Sequence, residues 1–455
     1  MSTHIAADDR VSAVLAGFIA NSRWEDLPDT VRHAARRSLL NGLATAFAGS
    51  SDSAIDIAAR TMLPFAGKAE ATLIGRAEKA DAMTAAFLNA AAMNVHDFDD
   101  THIRTVIHPA APVAPALLAL AERQRISGAA LLHGLALGIE AACRIGNAVS
   151  PGHYARGWHI TATCGVFGAA LAVGKVLGQD SRTLVHALGA ASAQSSGLVE
   201  TLGFMAKSIG VGSACRGGLL AALLAENGLG GPDRPLEGPR GFLTVTGDKP
   251  DFGQVTGDLG TRWEVLRNIH KPYPGGVVLF PVIDACLALK NERGIQAAEI
   301  EAVTLYGHPL LRQRTDRPNV ETGREAQVSA QHAVAICFLT GKAGLEQFSD
   351  AAVADPAVLA LRARVRMEDE AGRDFTSVRA VVSLKDGRSE EVTITDAKGT
   401  DNGPLSDGEI EAKFRALAAY GAPHCRDAEK LIDAVWSLDR SEDAGAIMAL
   451  ARPAP

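Results

Sequence analysis

Three aspartates and three histidines fall within Asn94–His108: His96, Asp97, Asp99, Asp100, His102 and His108. Carboxylates and imidazoles move protons near neutral pH, so this loop reads first as acid–base machinery. Apolar chain on both sides argues for a loop presented into a cleft. The same groups are ligands for zinc, manganese or iron, and a metal-dependent hydrolase is the competing reading. The order of the residues lacks a metal spacing such as H-E-x-x-H, so no metal is expected.

Four further segments carry groups that suit an anionic substrate. His153–Thr163 places Tyr154 and His159 just before a small-residue helix, whose free backbone N–H groups suit a carboxylate. Lys207 is the only charge between Glu200 and Arg216. A lysine there must snorkel or be paired, and once desolvated it can act as base, acid or carboxylate anchor. Lys271 heads the turn His270-Lys271-Pro272-Tyr273-Pro274-Gly275-Gly276. His308 is followed by Arg312, Arg314, Arg317 and then His332, a set that could clamp carboxylates or simply form a solvated face.

What is missing narrows the chemistry. No G-x-G-x-x-G, Walker A or G-x-S-x-G pattern stands in a convincing context, so no organic cofactor is expected. The net charge is -7 with no basic cluster, which excludes nucleic acid as a natural partner. Met1–Arg10 lacks the plan of a signal peptide, and no apolar run reaches the length of a membrane span. The six cysteines, Cys143, Cys164, Cys215, Cys286, Cys337 and Cys425, form no C-x-x-C pair and read as free buried thiols. A cytoplasmic enzyme with a small-molecule substrate is expected.

The elements that position these groups are mostly helical. Helical periodicity runs through 10–21, 28–48, 79–93, 111–123, 128–148, 159–177, 181–192 and 215–227. Aromatics are only 5% of the chain, while glycine and alanine abound, a composition for closely spaced helices. After Asp258 strands appear: 299–306, then 379–384 and 390–395 around Lys385-Asp386-Gly387, a hairpin signal. The expectation is a mostly α fold with a smaller α+β domain. Its parts are a helical domain over 1–265, the α+β domain over 266–400, and C-terminal helices over 401–455 that return to the first.

In order and spacing these segments resemble the MmgE/PrpD family. The matching pieces are Asp97–Pro109, Gly157–Ala170, Ala206–Gly212, Lys271–Pro274 and Gly307–Leu311. The resemblance implies a large helical domain, a smaller lid domain with the active site between them, a homodimer, and catalysis without metal or cofactor. It places Asp97, Thr101, His108, His159, Lys207 and Lys271 at the site. The decarboxylase branch is expected to carry a tyrosine where this chain has His332. Gly210, Gly275-Gly276 and Phe280 also depart from the 2-methylcitrate dehydratase pattern. Tyr154 with Lys207 resembles the iminodisuccinate epimerase branch.

The expected reaction is therefore abstraction of a proton alpha to a carboxylate of a small di- or tricarboxylate. Lys207 and Tyr154, one on each face of the carbon, would make an epimerase. His108, oriented by Asp97, would make the same site a dehydratase if it protonated a β-hydroxyl. His159, Lys271, Thr101, His102, His332 and Arg312 are the expected substrate-binding groups.

Overall fold

The computed structural model describes residues 10–425 and 427–453. The chain divides into two compact units. The first comprises the chain up to Val95, Asp99–Asn268, and the chain from Asp407 on; the second comprises His96–Phe98 and Ile269–Ser406.

The first unit is helical: α1 (Asp29–Gly49), α2 (Ala82–Asn94), α3 (Ala110–Arg123), α4 (Gly128–Val149), α5 (Ile160–Val176), α6 (Ser181–Ser192) and α7 (Ala206–Glu226) are its main members. Their starts follow local chemistry. Asp81 accepts from the N–H groups of Met83 and Thr84 to open α2, Ser127 from Ala130 to open α4, and Asp180 from Thr183 to open α6. Glycine sets the spacing between helices. A Cβ on Gly218 of α7 would lie 2.4 Å from the Cβ of Ala169, and one on Gly168 of α5 would lie 2.6 Å from the Gly138 carbonyl oxygen. Any side chain at either position would push the helices apart.

Several boundaries differ from the sequence expectation, for stated reasons. The helix expected from Lys79 begins at Ala82, because the Asp81 cap closes it; Lys79–Ala80 pairs instead with Ala71–Thr72 as a short hairpin. The helix expected from Cys215 begins nine residues earlier at Ala206, which puts Lys207 in its first turn. Gly210 and Gly212 hide that start from propensity reasoning, but they let the helix pack. The expectation about membrane-length segments also needs correction. By length and average hydropathy α4 and α7 could each cross a bilayer. Single charged residues interrupt them, so no uninterrupted apolar run shows in the sequence. Of the most apolar 18-residue stretch of each helix, 89% of α4 and 61% of α7 is buried.

The second unit carries α8 (Phe280–Asn291), α9 (Ala330–Thr340) and a four-stranded sheet of β1 (Ile300–Gly307), β2 (Val365–Asp369), β3 (Val378–Leu384) and β4 (Ser389–Ile394). The strand order is β2-β1-β3-β4, with β1 and β2 parallel and the other pairs antiparallel. Val378, Ala380, Val382 and Leu384 of β3 face a core that includes Val282, Ile283, Cys286, Val334 and Phe338 from the two helices. Gly387 takes the left-handed conformation that the Asp-Gly turn between β3 and β4 requires. The strand β2 and helix α9 were not read from the sequence. At Asp407 the chain returns to the first unit with α10 (Asp407–Gly421), whose Phe414 packs edge-on against Phe47 of α1. All six cysteines are free and buried.

Candidate active site

Three helices of the first unit run parallel and begin at the same end. Between α3 and α5 the contacts climb together: the His108 N–H donates to Thr161 Oγ1 at 3.1 Å, Pro112 lies against Gly165, and Val113 against Gly168. Between α5 and α7 they do the same, from Ala162 with Gly210 to Val166 and Ala169 with Gly218. His108 therefore precedes α3, His159 caps α5 and Lys207 sits in the first turn of α7, all at one end of the bundle. The loop before Lys207 is tied to the segment before α5: His159 N–H donates to Gly197 O at 3.0 Å and Val199 N–H to Gly157 O at 2.7 Å.

That arrangement has an electrostatic consequence. Each helix N-terminus carries about half a positive charge, so parallel neighbours repel at that end unless an anion is present. The N-cap residues of α5 and α7, His159 and Met205, make no side-chain cap, in contrast to those of α2, α4 and α6. Adding Lys207 and two imidazoles makes this end of the unit suited to carboxylates.

Three oxygens surround the Nδ1 of His108. Its Nδ1 lies 2.9 Å from the Asp100 carbonyl oxygen, 3.2 Å from Thr101 Oγ1 and 3.2 Å from Asp99 Oδ1. A carbonyl can only accept, so Nδ1 carries the hydrogen and the neutral ring has none on Nε2. Such an Nε2 takes a proton; once it has one, it can return it. Asp99 belongs to the Asp/His loop read from the sequence, but the orienting role was expected there of Asp97. Asp99 and Asp100 are both fully buried. Asp100 Oδ1 accepts from the Ala110 N–H at 3.3 Å, at the start of α3, so this residue grips His108 and its helix together. Two residues before His108, Val106 sits at φ 55°, a left-handed conformation that a β-branched side chain rarely takes. Such strain clusters at functional loops.

His102 has a different place from the one expected. It is fully buried, with Nε2 donating to Glu264 at 3.1 Å and Nδ1 2.8 Å from Thr105 Oγ1. Burial pushes the Glu264 carboxyl up, but the hydrogen bond and charge of His102, with Arg267 and Arg262, hold it lower, at about 2. Behind it Arg144 pairs with Glu140 at 2.5 Å and donates to the Gly257 and Arg262 carbonyls. His102 thus belongs to a buried polar scaffold under the loop and is not kept as a substrate contact. Tyr154 is half-buried on one helical turn, Gly152–Ala155.

In the second unit Lys271 is 2% exposed and paired with Asp97 at 3.3 Å. Its ammonium also donates to the Asp97 and Gly275 carbonyls, each at 3.0 Å. The turn depends on Gly275, at φ 104°, where a Cβ would lie 2.1 Å from the Gln327 oxygen. We expect Gly275→Ala to cost this unit about 2–3 kcal/mol, combining a left-handed backbone with overpacking. Urea unfolding of the two proteins measures it, and equal midpoints would show that the turn tolerates a side chain.

Two other expected substrate contacts are engaged elsewhere. Arg312 makes a bidentate pair with Asp369, at 2.9 and 2.6 Å, so it is not a free clamp. His332 is fully buried at the start of α9, and its Nε2 donates to the Gln347 carbonyl at 2.8 Å. Both read as structural residues of the second unit.

Residues 13–255 match the MmgE/PrpD N-terminal domain and residues 273–438 the MmgE/PrpD C-terminal domain. The chain is 28% identical to a cis-aconitate decarboxylase-like protein of Aspergillus oryzae, over 98% of both chains. It is 27% identical to the cis-aconitate decarboxylase of Aspergillus terreus, over 98% of this chain and 96% of that one. To the human cis-aconitate decarboxylase it is 27% identical, over 94% of this chain and 92% of that one.

Proposed function

Because the chain belongs to the MmgE/PrpD family, we propose that it is a lyase that works on a small tricarboxylate by proton transfer from its own side chains. The observation that carries this reading is the shared end of α3, α5 and α7, with His108, His159 and Lys207 on it. Removing a proton alpha to a carboxylate loads charge onto that carboxylate. Helix N-termini and a lysine fixed in advance offset the charge as it forms, without reorganising.

The favoured reaction is dehydration of a citrate-like hydroxy acid. A base takes the proton on the carbon alpha to a carboxylate, and the C–H electrons form the double bond. The β-hydroxyl then leaves as water with a proton from an acid. His108, with its hydrogen on Nδ1 and a basic Nε2, suits one of these transfers; Lys207 or Tyr154 suits the other. His159 and Thr101 are proposed to hold carboxylates, and Lys271 with Asp97 is the candidate set of the second unit. A second reading is decarboxylation, favoured by the names of the relatives. There the bond to a carboxylate breaks, its electrons pass into the conjugated system, and a proton is returned to carbon as CO2 leaves. Against it stands His332, buried and bonded to Gln347, where the decarboxylase branch is expected to carry tyrosine. Epimerisation, the first choice from sequence, has less support, since the named relatives are lyases. A homodimer in the cytoplasm remains the proposed setting.

The test is incubation in deuterated water with citrate, 2-methylcitrate, cis-aconitate and iminodisuccinate, with and without chelator. Loss of water to an unsaturated acid supports the reading. CO2 release selects the second one. Deuterium entering with inversion, and no loss of water or CO2, overturns both in favour of an epimerase. Activity abolished by chelation and restored by metal overturns the cofactor-free chemistry.

A further inference from the structure

His108 has a carboxylate neighbour to which the family resemblance gives no role. Asp99 Oδ1 lies at an ion-pair distance of 3.2 Å from His108 Nδ1, whose hydrogen is directed to the Asp100 carbonyl at 2.9 Å, and both groups are buried. The other oxygen of Asp99 accepts from Asn94 Nδ2 at 2.8 Å, at the end of α2. The carboxylate is thus anchored on a helix while it faces the ring nitrogen that points away from Nε2. We propose that Asp99, held by Asn94, is the positioning residue that makes His108 an effective proton carrier. This rests on the proposed function, in which His108 Nε2 exchanges a proton with substrate.

The charge distribution of the loop supports the assignment. Two adjacent buried carboxyls do not both ionise readily. Burial, and then the charge of Asp99, push the neighbouring Asp100 carboxyl up to about 7. The charge of Asp99 that raises its neighbour lies 3.2 Å from His108 Nδ1. When Nε2 takes a proton, the imidazolium finds its counter-charge already in place and dry. A carboxylate set behind a catalytic imidazole acts in the same sense in hydrolytic triads, where it orients the ring and stabilises its charged form without being protonated itself.

The experiment uses the full chain as wild type, Asp99→Asn, Asp99→Glu and Asn94→Ala. The first readout is kcat against KM for whichever acid of the panel above is turned over. The second is the Nδ1 proton and nitrogen signal of His108 in protein labelled at histidine, assigned by its loss in His108→Asn. Asp99→Asn should leave KM little changed and lower kcat by about 10²-fold or more. Its Nδ1 proton signal should move upfield. Asp99→Glu should recover part of both, and Asn94→Ala should shift both less, in the same direction. Wild-type kcat in Asp99→Asn, a loss carried by KM alone, or an unmoved signal overturns the proposal. Should Asp99→Asn fail to fold, an unmoved signal in Asn94→Ala overturns it equally. If no acid of the panel is turned over, the proposed reaction fails, while the imidazole signal still decides the role of Asp99.

Discussion

Lys207→Ala should lower turnover by about 10²–10⁴-fold while leaving the fold intact, the range that one positioned acid or base supplies. At 1.36 kcal/mol per decade this is roughly 3–5 kcal/mol of lost transition-state stabilisation. Stability should not suffer. Lys207 is half-buried in the first turn of α7, and alanine is the best helix former there. Removing a cation from a helix N-terminus is also mildly favourable. Melting curves beside steady-state rates therefore separate the two effects. Lys207→Arg divides the possible roles. If Lys207 acts only as a fixed charge, arginine recovers much of the rate. If it carries a proton, arginine does not, because it stays protonated throughout. Turnover near wild type in Lys207→Ala would remove Lys207 from the mechanism.

The position of Lys207 was legible in sequence as a lone charge in an apolar stretch; its partners in space were not. That His159 and Lys207 share an end of the bundle follows from α5 and α7 running parallel, and this is set by Gly210, Gly217 and Gly218 fitting against Ala162, Val166 and Ala169. The sequence shows the glycines without showing the register. The Asp/His loop was legible as chemistry, but the roles of its members were not. Asp97 at φ 50° turns the chain at the head of the loop, and Val106 at φ 55° turns it again before His108. Aspartate tolerates that conformation, but valine gives no sign of it, so the turn before His108 was hidden. Arg312 and His332 failed as substrate contacts for a related reason. Arg312 pairs with Asp369, 57 positions on. His332 bonds a backbone carbonyl. Residue type gave their chemistry, while tertiary pairing consumed it.

Burial and the neighbouring charge of Asp99 should make Asp100 a cost to stability at neutral pH and above. Asp100 has no exposed surface, accepts from Ala110, and lies 2.5 Å from the side-chain amide of Asn268. Burial, then Asp99, raise its carboxyl from 3.8 to about 7, although Asn268, Ala110 and Lys413 act in the opposite direction. The sign follows from proton uptake. Below 3.8 both folded and unfolded chains hold this proton. Between 3.8 and about 7 only the folded chain does, so stability falls as pH rises through that window. Above about 7 the full cost is present. Asp100→Asn removes the charge and keeps the shape. Its new amide can be met by the Oδ1 of Asn268 turned over, at the loss of the 3.3 Å bond from Asn268 Nδ2 to Ser38 Oγ. We therefore expect Asp100→Asn to be more stable than wild type at pH 8 by roughly 2–4 kcal/mol. The gain should shrink steadily as pH is lowered toward 4. Urea unfolding of both proteins across that range measures it. A variant no more stable than wild type at pH 8, or a gain that grows in acid, would mean that Asp100 is held ionised and that the charge of the loop is shared between both aspartates.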